Sequence, residues 1–506
     1  MRYGFVIDNR KCIGCHACTV ACKSEHKVPL GVNRTWVKYV EKGRFPDARR
    51  FFQVTRCNHC ANPPCVAICP VGAMVQRPDG IVDFDSDLCL GCKACLQACP
   101  YDAIYVDPER HTAAKCNYCA HRTAAGLEPA CVVLCPEHAI VAGDLDDPES
   151  EAARLVARGD LQVRKPEQGT RPGLYYVEAD ACTLEPTAAR HEPFFLWAER
   201  NRTVEGGGAV RLPPEPAPAV PTLAAYDVEH ARPWAWQVPA FFWTKSIGAG
   251  ALWMPALALA VGADWLRGML GGVLALVALA FMALTVVLLV GDLSRPERFL
   301  RVVSRPQGRS WLARGAWFLV FYTALAAAYG GAVFAGAADV ARILLLPAAL
   351  GGVLAVLYTA FLLAQCVGRD LWRSPLLSLH VFVRGVLASG AVLAIVGIRL
   401  EPELRTAASV AMGVGLALHA LLLLFELGRR KATAAGRYAA RIVVSGPLGG
   451  LFWGGAVGAG LVGPAVLLAA GAAVPAFVVV AGAAVLAGLL AYEWCLVMAG
   501  QGVPNS

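Results

Sequence analysis

Sixteen of the nineteen cysteines in this 506-residue chain fall between Cys12 and Cys135, in four consecutive quartets. The first, Cys12, Cys15, Cys18 and Cys22, reads CxxCxxCxxxC, and the third, Cys89, Cys92, Cys95 and Cys99, repeats it with Pro100 directly after. Between them, Cys57, Cys60, Cys65 and Cys69 are spaced CxxCxxxxCxxxC ahead of Pro70. The fourth, Cys116, Cys119, Cys131 and Cys135, widens its middle gap to eleven residues and precedes Pro136. A short CxxCxxC loop wraps three thiolates round one iron-sulfur cubane, and a fourth cysteine one helical step on, before a helix-ending proline, points at a neighbouring cubane. Zinc takes its ligands from two separated pairs and has no use for a third cysteine two residues on. Disulfides leave the fourfold repetition unexplained. No Trp, Asp or Ser replaces any of the sixteen, so a three-iron cluster is not expected.

The quartets resemble those of two-cluster bacterial ferredoxins. That resemblance implies an α+β ferredoxin-like double domain with four [4Fe-4S] clusters arranged as two pairs. It also implies that the first quartet pairs with the last and the second with the third. Cys22 would then join Cys116, Cys119 and Cys131, and Cys135 would join Cys12, Cys15 and Cys18; Cys69 and Cys99 would be exchanged likewise.

With 56% hydrophobic and only 17% charged residues, the chain is too apolar to be wholly soluble at this length. The apolarity is uneven and defines three parts. Residues 1–200 are polar and cysteine-rich, and 201–233 form a Gly/Pro-rich linker with Gly206, Gly207, Gly208 and the run Pro213, Pro214, Pro216, Pro218, Pro221. Residues 234–506 hold eight apolar stretches of roughly the twenty residues a membrane helix needs. They are 239–262, 268–291, 315–338, 342–366, 378–398, 405–427, 447–470 and 474–499, which predicts an all-α bundle of eight transmembrane helices.

An even number of spans puts both ends of the chain on one face. Loops on that face carry thirteen cations: Arg295, Arg298, Arg301, Arg305, Arg309, Arg314, Arg369, Arg373, Arg429, Arg430, Lys431, Arg437 and Arg441. The opposite loops carry four, Arg267, Arg342, Arg399 and Arg405. The positive-inside rule therefore predicts a multi-pass inner-membrane protein with the cysteine-rich domain in the cytoplasm. No signal peptide or twin-arginine stretch precedes Cys12, so the opposite face would require export with a partner. Loop arginines beside such a domain are also candidates for docking it.

Polar and ionisable groups inside spans are costly and mark function. Here they gather toward the cluster-side face: Lys245, Asp292, Tyr358, Gln365, His380, Arg384, His419, Glu426 and Glu493. The other half of the slab is nearly all Ala, Gly, Val and Leu. This pattern suggests a pocket where a lipid-soluble quinone meets electrons and protons, with Lys245, Tyr358, His380, His419 and Glu426 as its quinone or proton groups. Each alone is equally an interfacial snorkelling residue or an interhelical hydrogen bond. His380 and His419 are the only intramembrane histidines, and haem is not expected. Cys182, Cys366 and Cys495 read as small buried apolar residues.

Residues 1–200 resemble the four-cluster electron-transfer subunit of complex iron-sulfur molybdoenzymes. The resemblance rests on the quartets, on Cys57-Asn-His-Cys60 with Pro63-Pro64-Cys65, and on Lys165-Pro-Glu-Gln-Gly-Thr170 leading to Tyr175-Tyr176. Residues 234–506 resemble the polysulfide reductase and NrfD-like membrane subunit. The matching pieces are Gly248-Ala-Gly250, Asp292-Leu-Ser-Arg-Pro-Glu-Arg298-Phe299, Ser310-Trp311, Arg314-Gly-Ala-Trp317 and Gly500-Gln501-Gly-Val-Pro504-Asn-Ser506. These are separate chains in the better-known relatives, and their fusion raises the effective concentration of the last cluster beside the membrane pocket. Some relatives have a quinone-binding histidine at the start of the first span; here the nearest is His230, outside it, with Lys245 within. Together the resemblances imply a subunit for electron transfer and anchoring, placed between the quinone pool (menaquinone or ubiquinone) and a molybdopterin-type catalytic partner. No soluble-substrate site and no nucleic-acid partner are expected. The alternative of another class is a redox-driven proton translocator using Lys245, Arg384, His419, Glu426 and Glu493.

Overall fold

The computed structural model describes residues 1–190, 220–229, 232–260, 269–397, 402–428, 433–471 and 474–506. The glycines and most of the prolines of the linker, and Arg267, Arg399, Arg429, Arg430 and Lys431 of the charge count, lie outside them.

Short strands frame the cysteine loops. Strand β1 (Tyr3–Asp8) is almost wholly buried because it is the middle of a three-stranded sheet. It pairs antiparallel with β8 (Ile140–Asp144), Phe5 facing Ala142, and parallel with β9 (Leu174–Val177), Phe5 facing Leu174. A second sheet is built on β2 (Thr35–Lys42) and β3 (Arg49–Arg56), paired antiparallel. Two hairpins follow the second and third quartets, β4 (Met74–Gln76) with β5 (Val82–Phe84) and β6 (Ile104–Val106) with β7 (Ala113–Lys115). The other edge of β2 is covered by β10 (Thr222–Tyr226), antiparallel to it. Part of the segment expected to be plain linker is thus a strand of the cysteine-rich fold.

Besides the short turns Pro296–Arg298, Arg301–Ser304 and Asp370–Arg373, the apolar half forms ten helices of eight residues or more among the described residues. They are α1 (Gln237–Gly250), α2 (Trp253–Ala260), α3 (Met269–Gly291), α4 (Trp311–Phe334), α5 (Ala338–Gln365), α6 (Leu377–Val396), α7 (Pro402–Gly428), α8 (Ala434–Val444), α9 (Leu451–Gly471) and α10 (Pro475–Gln501). Seven of them, α3 to α7, α9 and α10, are long and apolar enough to cross a membrane. The eighth expected span, 239–262, is broken in two between α1 and α2. Pro255 lacks the N–H that would bond the carbonyl of Ala251, and its ring crowds that carbonyl, so the helix interrupts there. Helix α8 is amphipathic: it buries Tyr438, Ala439, Ile442 and Val443, and the Thr433 side chain caps it by accepting from Gly436 N at 3.0 Å.

The cysteine-rich fold sits on one end of this bundle through directional contacts. Lys93 Nζ donates to Asp292 O at 2.7 Å and to its Oδ1 at 3.2 Å. Arg298 Nη1 donates to the carbonyls of Ser86 and Cys89, at 2.8 and 2.7 Å, while Arg295 reaches Arg110 O and Arg301 reaches Asp87 O. Gln97 Nε2 donates to Gln501 Oε1 at 2.9 Å, and Gln501 Nε2 to Trp234 O at 2.7 Å. Arg369 Nε donates to Gln97 Oε1 at 2.7 Å, and Arg164 Nη2 to Asn505 O at 2.5 Å. Gly91, with φ of 71°, belongs to this contact as well: a Cβ there would stand 2.6 Å from Ser294 Cβ.

Candidate functional site

Each quartet bends in the same way. The residue before the second cysteine is left-handed every time, with φ of 73° at Gly14, 42° at His59, 71° at Gly91 and 60° at Tyr118. Glycine takes that conformation freely, whereas His59 and Tyr118 are held in it by burial. A helix then carries or delivers the last two cysteines four residues apart. Cys18 and Cys22 lie in Ala17–His26, Cys65 in Pro64–Ile68 with Cys69 at its end, and Cys95 in Ala94–Ala98 with Cys99 at its end. Cys131 lies in Ala130–Val133, with Cys135 just beyond.

The sixteen thiols gather into four groups that cross the sequence order. Cys12, Cys15, Cys18 and Cys135 ring one small cavity, and Cys69, Cys89, Cys92 and Cys95 ring another. Cys22 neighbours Cys116 and Cys131, as does Cys119. Cys60 neighbours Cys57, Cys65 and Cys99. No three or more His, Cys, Asp or Glu side chains among the described residues converge as they would round a single metal ion. Thiols standing apart round a cavity suit a four-iron cubane instead.

Most of these thiols are buried, and burial pushes Cys18 up to about 11 and Cys119 up to about 12, with neighbouring thiols adding to it. Cys22, Cys65 and Cys92 are raised further, again by burial first. Such groups bind a metal centre only by giving up protons. Burial, with the charges of Arg34 and His121, pushes His26 down to about 4, so a neutral imidazole meets Cys119 Sγ at 3.1 Å.

On the membrane side of the Cys92 loop lies a cavity of about 560 Å³, lined among others by Cys92, Trp234, Phe242, Asp292, Leu319 and Tyr358. Its wall is apolar apart from a few groups at the cluster end, the form of a site for a greasy ligand with a polar head. Gly315 makes room for Tyr358, since a Cβ at 315 would come 2.2 Å from its ring. Lys245 Nζ lies 5.1 Å from the Tyr358 ring centroid and donates to Thr359 Oγ1 at 2.7 Å and Val356 O at 3.1 Å.

Of the five expected membrane residues, only Tyr358 lines this cavity and Lys245 packs on its ring. His380, His419 and Glu426 form a second cluster between α6, α7 and α10. His380 sits between His419 Nδ1 at 2.8 Å and Glu426 Oε2 at 2.6 Å, with the Tyr492 hydroxyl 3.3 Å away. Beside it Arg384 pairs with Glu493 at 2.6 Å. Sequence reasoning misses Trp234 as a cavity residue, although the abrupt start of apolar sequence after it is a signal. It also misses Tyr492, whose place next to Glu493 gives no hint that it faces His380.

The profile described as "Polysulphide reductase, NrfD" matches residues 227–505, and two profiles described as "4Fe-4S dicluster domain" match 11–74 and 48–145. The protein belongs to the polysulphide reductase NrfD family and carries 4Fe-4S dicluster domains ahead of its membrane part. It is 45% identical over 202 residues to a tetrathionate reductase subunit of Salmonella typhimurium, covering 39% of this chain and 80% of that one. It is 43% identical over 179 residues to a polysulfide reductase chain of Wolinella succinogenes, covering 35% and 94%. Protein NrfC of Escherichia coli is 45% identical over 181 residues, covering 35% and 81%. The protein is thus a multi-pass membrane subunit that combines iron-sulfur electron transfer with membrane anchoring.

Proposed function

We propose that this chain carries electrons between a membrane quinol, menaquinol or ubiquinol, and a molybdopterin-type oxidoreductase that it anchors. The observation that carries the reading is the apolar cavity shared by Cys92 and the membrane helices. The four thiol groups would hold four [4Fe-4S] clusters, which supply one-electron carriers when bound. Their ligand sets would be Cys12, Cys15, Cys18, Cys135; Cys22, Cys116, Cys119, Cys131; Cys57, Cys60, Cys65, Cys99; and Cys69, Cys89, Cys92, Cys95. Neighbouring thiols support an order along the chain of groups: Cys95 is close to Cys65, Cys116 to Cys57, and Cys18 to Cys131. The far end, at the exposed Cys15, has exposed Ile13, Val20 and Leu134 for a partner to cover.

Oxidising one quinol releases two electrons and two protons; reducing a quinone takes up the same. Electrons would pass on the Cys92 side. Trp234 and Phe242 would hold the ring, Asp292 and Tyr358 would meet its oxygens, and Lys245 would hold Tyr358 from behind. The His380, His419 and Glu426 cluster would hand protons between the membrane interior and the cluster-side surface. We take 1–200 as the electron-transfer domain, 201–233 as a linker partly anchored by β10, and 234–506 as the quinone domain. That domain would have eight crossings when α1 and α2 are counted as one broken span.

At least five of the thirteen cluster-side cations bond the cysteine-rich fold: Arg295, Arg298, Arg301, Arg369 and Arg373. Setting them aside leaves eight against four, which still favours a cytoplasmic cluster domain in the inner membrane.

Anaerobically purified protein tests the reading by iron and sulfide content and by EPR. About sixteen irons per chain, for four cubanes, and reduction of the clusters by menaquinol or ubiquinol are expected. Near-zero iron with stoichiometric zinc, or clusters that dithionite reduces and neither quinol does, would refute it. The proton-translocating alternative draws on the buried Arg384–Glu493 pair beside the His380 cluster. Acidification inside sealed vesicles during quinone turnover, beyond what quinone chemistry releases, would decide for it.

A further inference from the structure

Arg56 ends β3 directly ahead of Cys57, and it is 0% exposed. Its Nη1 donates to Cys131 Sγ at 3.0 Å, and its guanidinium carbon stands 4.7 Å from the Phe5 ring centroid. Nε and Nη2 have no hydrogen-bond partner in the protein. Among the described residues it forms no ion pair with a carboxylate, and the groups that act on it most are the thiols of Cys131, Cys18 and Cys116. Arginine keeps its proton in proteins, and a buried cation without a counter-charge is strongly destabilising. A purely structural role, stacking on Phe5, leaves two buried donors unsatisfied. They are accounted for if anionic centres lie on both sides, which is the fit expected of iron-sulfur clusters in the neighbouring thiol groups.

The position of Arg56 adds a second point. It acts on Cys12 and Cys18 of one thiol group and on Cys22, Cys116 and Cys131 of the next. At the membrane end Cys92 lies near the Asp292 carboxylate, which is itself paired with Lys93. Lys115, another buried cation near these thiols, differs in that it donates to the carbonyls of Val82 and Cys116. Reducing a cluster adds one negative charge, and a fixed cation in a low-dielectric interior favours the reduced form.

We propose that Arg56 is a potential-setting residue, a fixed positive charge shared by the two clusters farthest from the membrane that raises the reduction potential of both. This rests on the four-cluster reading above.

The test uses the full chain, purified anaerobically in detergent, with iron content measured alongside an EPR-monitored potentiometric titration. In R56Q, about sixteen irons remain, two of the four midpoints move to lower potential and the other two hold; R56K restores both. Near-zero iron in the unaltered protein overturns the cluster reading itself. Full iron in R56Q with all four midpoints unmoved overturns the role of Arg56 alone, as does an equal downward shift in R56K. If R56Q loses iron, R56K decides: unshifted midpoints support the charge, and lowered ones overturn it. Loss of iron in both variants makes Arg56 a cluster-retention residue and overturns the proposal.

Discussion

At the scale of single residues, the cysteines and the small residues around them carry the sharpest expectations. Buried thiols with pKa pushed up to about 11 at Cys18 and about 12 at Cys119 remain protonated at neutral pH unless metal displaces the proton. Lowering the pH therefore favours the metal-free thiol and raising it favours the cluster. Iron loss to a chelator, followed by absorbance, is expected to quicken steadily as pH is lowered from 8 to 6. Gly315 offers a second check. In Gly315→Ala the new Cβ would meet the Tyr358 ring at 2.2 Å and push it into the cavity. Overpacking of this kind costs about 1–3 kcal/mol. Quinol-driven cluster reduction is expected to slow about tenfold or more, while dithionite reduction stays as before.

Among the elements, helix ends decide how the two regions meet. Asp292 follows α3 and receives Lys93 at 3.2 Å with little exposure on either side. Asp292→Asn leaves the ammonium short of a counter-charge, and breaking a buried pair costs roughly 3 kcal/mol. The expected outcome is a lower melting temperature and slower quinol-driven reduction, with unchanged iron content. The helices also show where sequence runs short. Apolar runs give the depth of each polar residue, and counted at about 1.5 Å per residue, Tyr358, Lys245 and Glu493 do lie roughly 10–12 Å below their cluster-side helix ends. Depth carries no information on which neighbour a helix face meets, so the five membrane residues read as one pocket separate into a pair at the cavity and a trio around His380. The break in the first span is legible in Pro255 but masked by the unbroken apolar composition around it. Thr222–Tyr226 escapes notice because the prolines upstream dominate the local composition, and only β2 reveals it as a strand.

For the whole molecule, the cysteine spacing makes the crossed thiol groups legible from the resemblance, whereas the interface with the bundle depends on contacts hundreds of residues apart. Those contacts predict that the peptide link between the two regions is dispensable for holding them together. A protease site placed between Glu205 and Gly208, once cut, should leave two pieces that co-elute in mild detergent and still pass electrons from quinol. Separation of the pieces at modest salt would show that the linker, not the docking surface, keeps them joined.

Asn505 receives Arg164 and Lys165 and donates its backbone N–H to Asp102 at 2.8 Å. Ribosomes make this residue after every helix of the bundle. The cysteine-rich fold, although synthesised first, therefore cannot finish its seat until the last helix has emerged. Cluster loading has the whole interval of membrane insertion in which to occur before that seat closes.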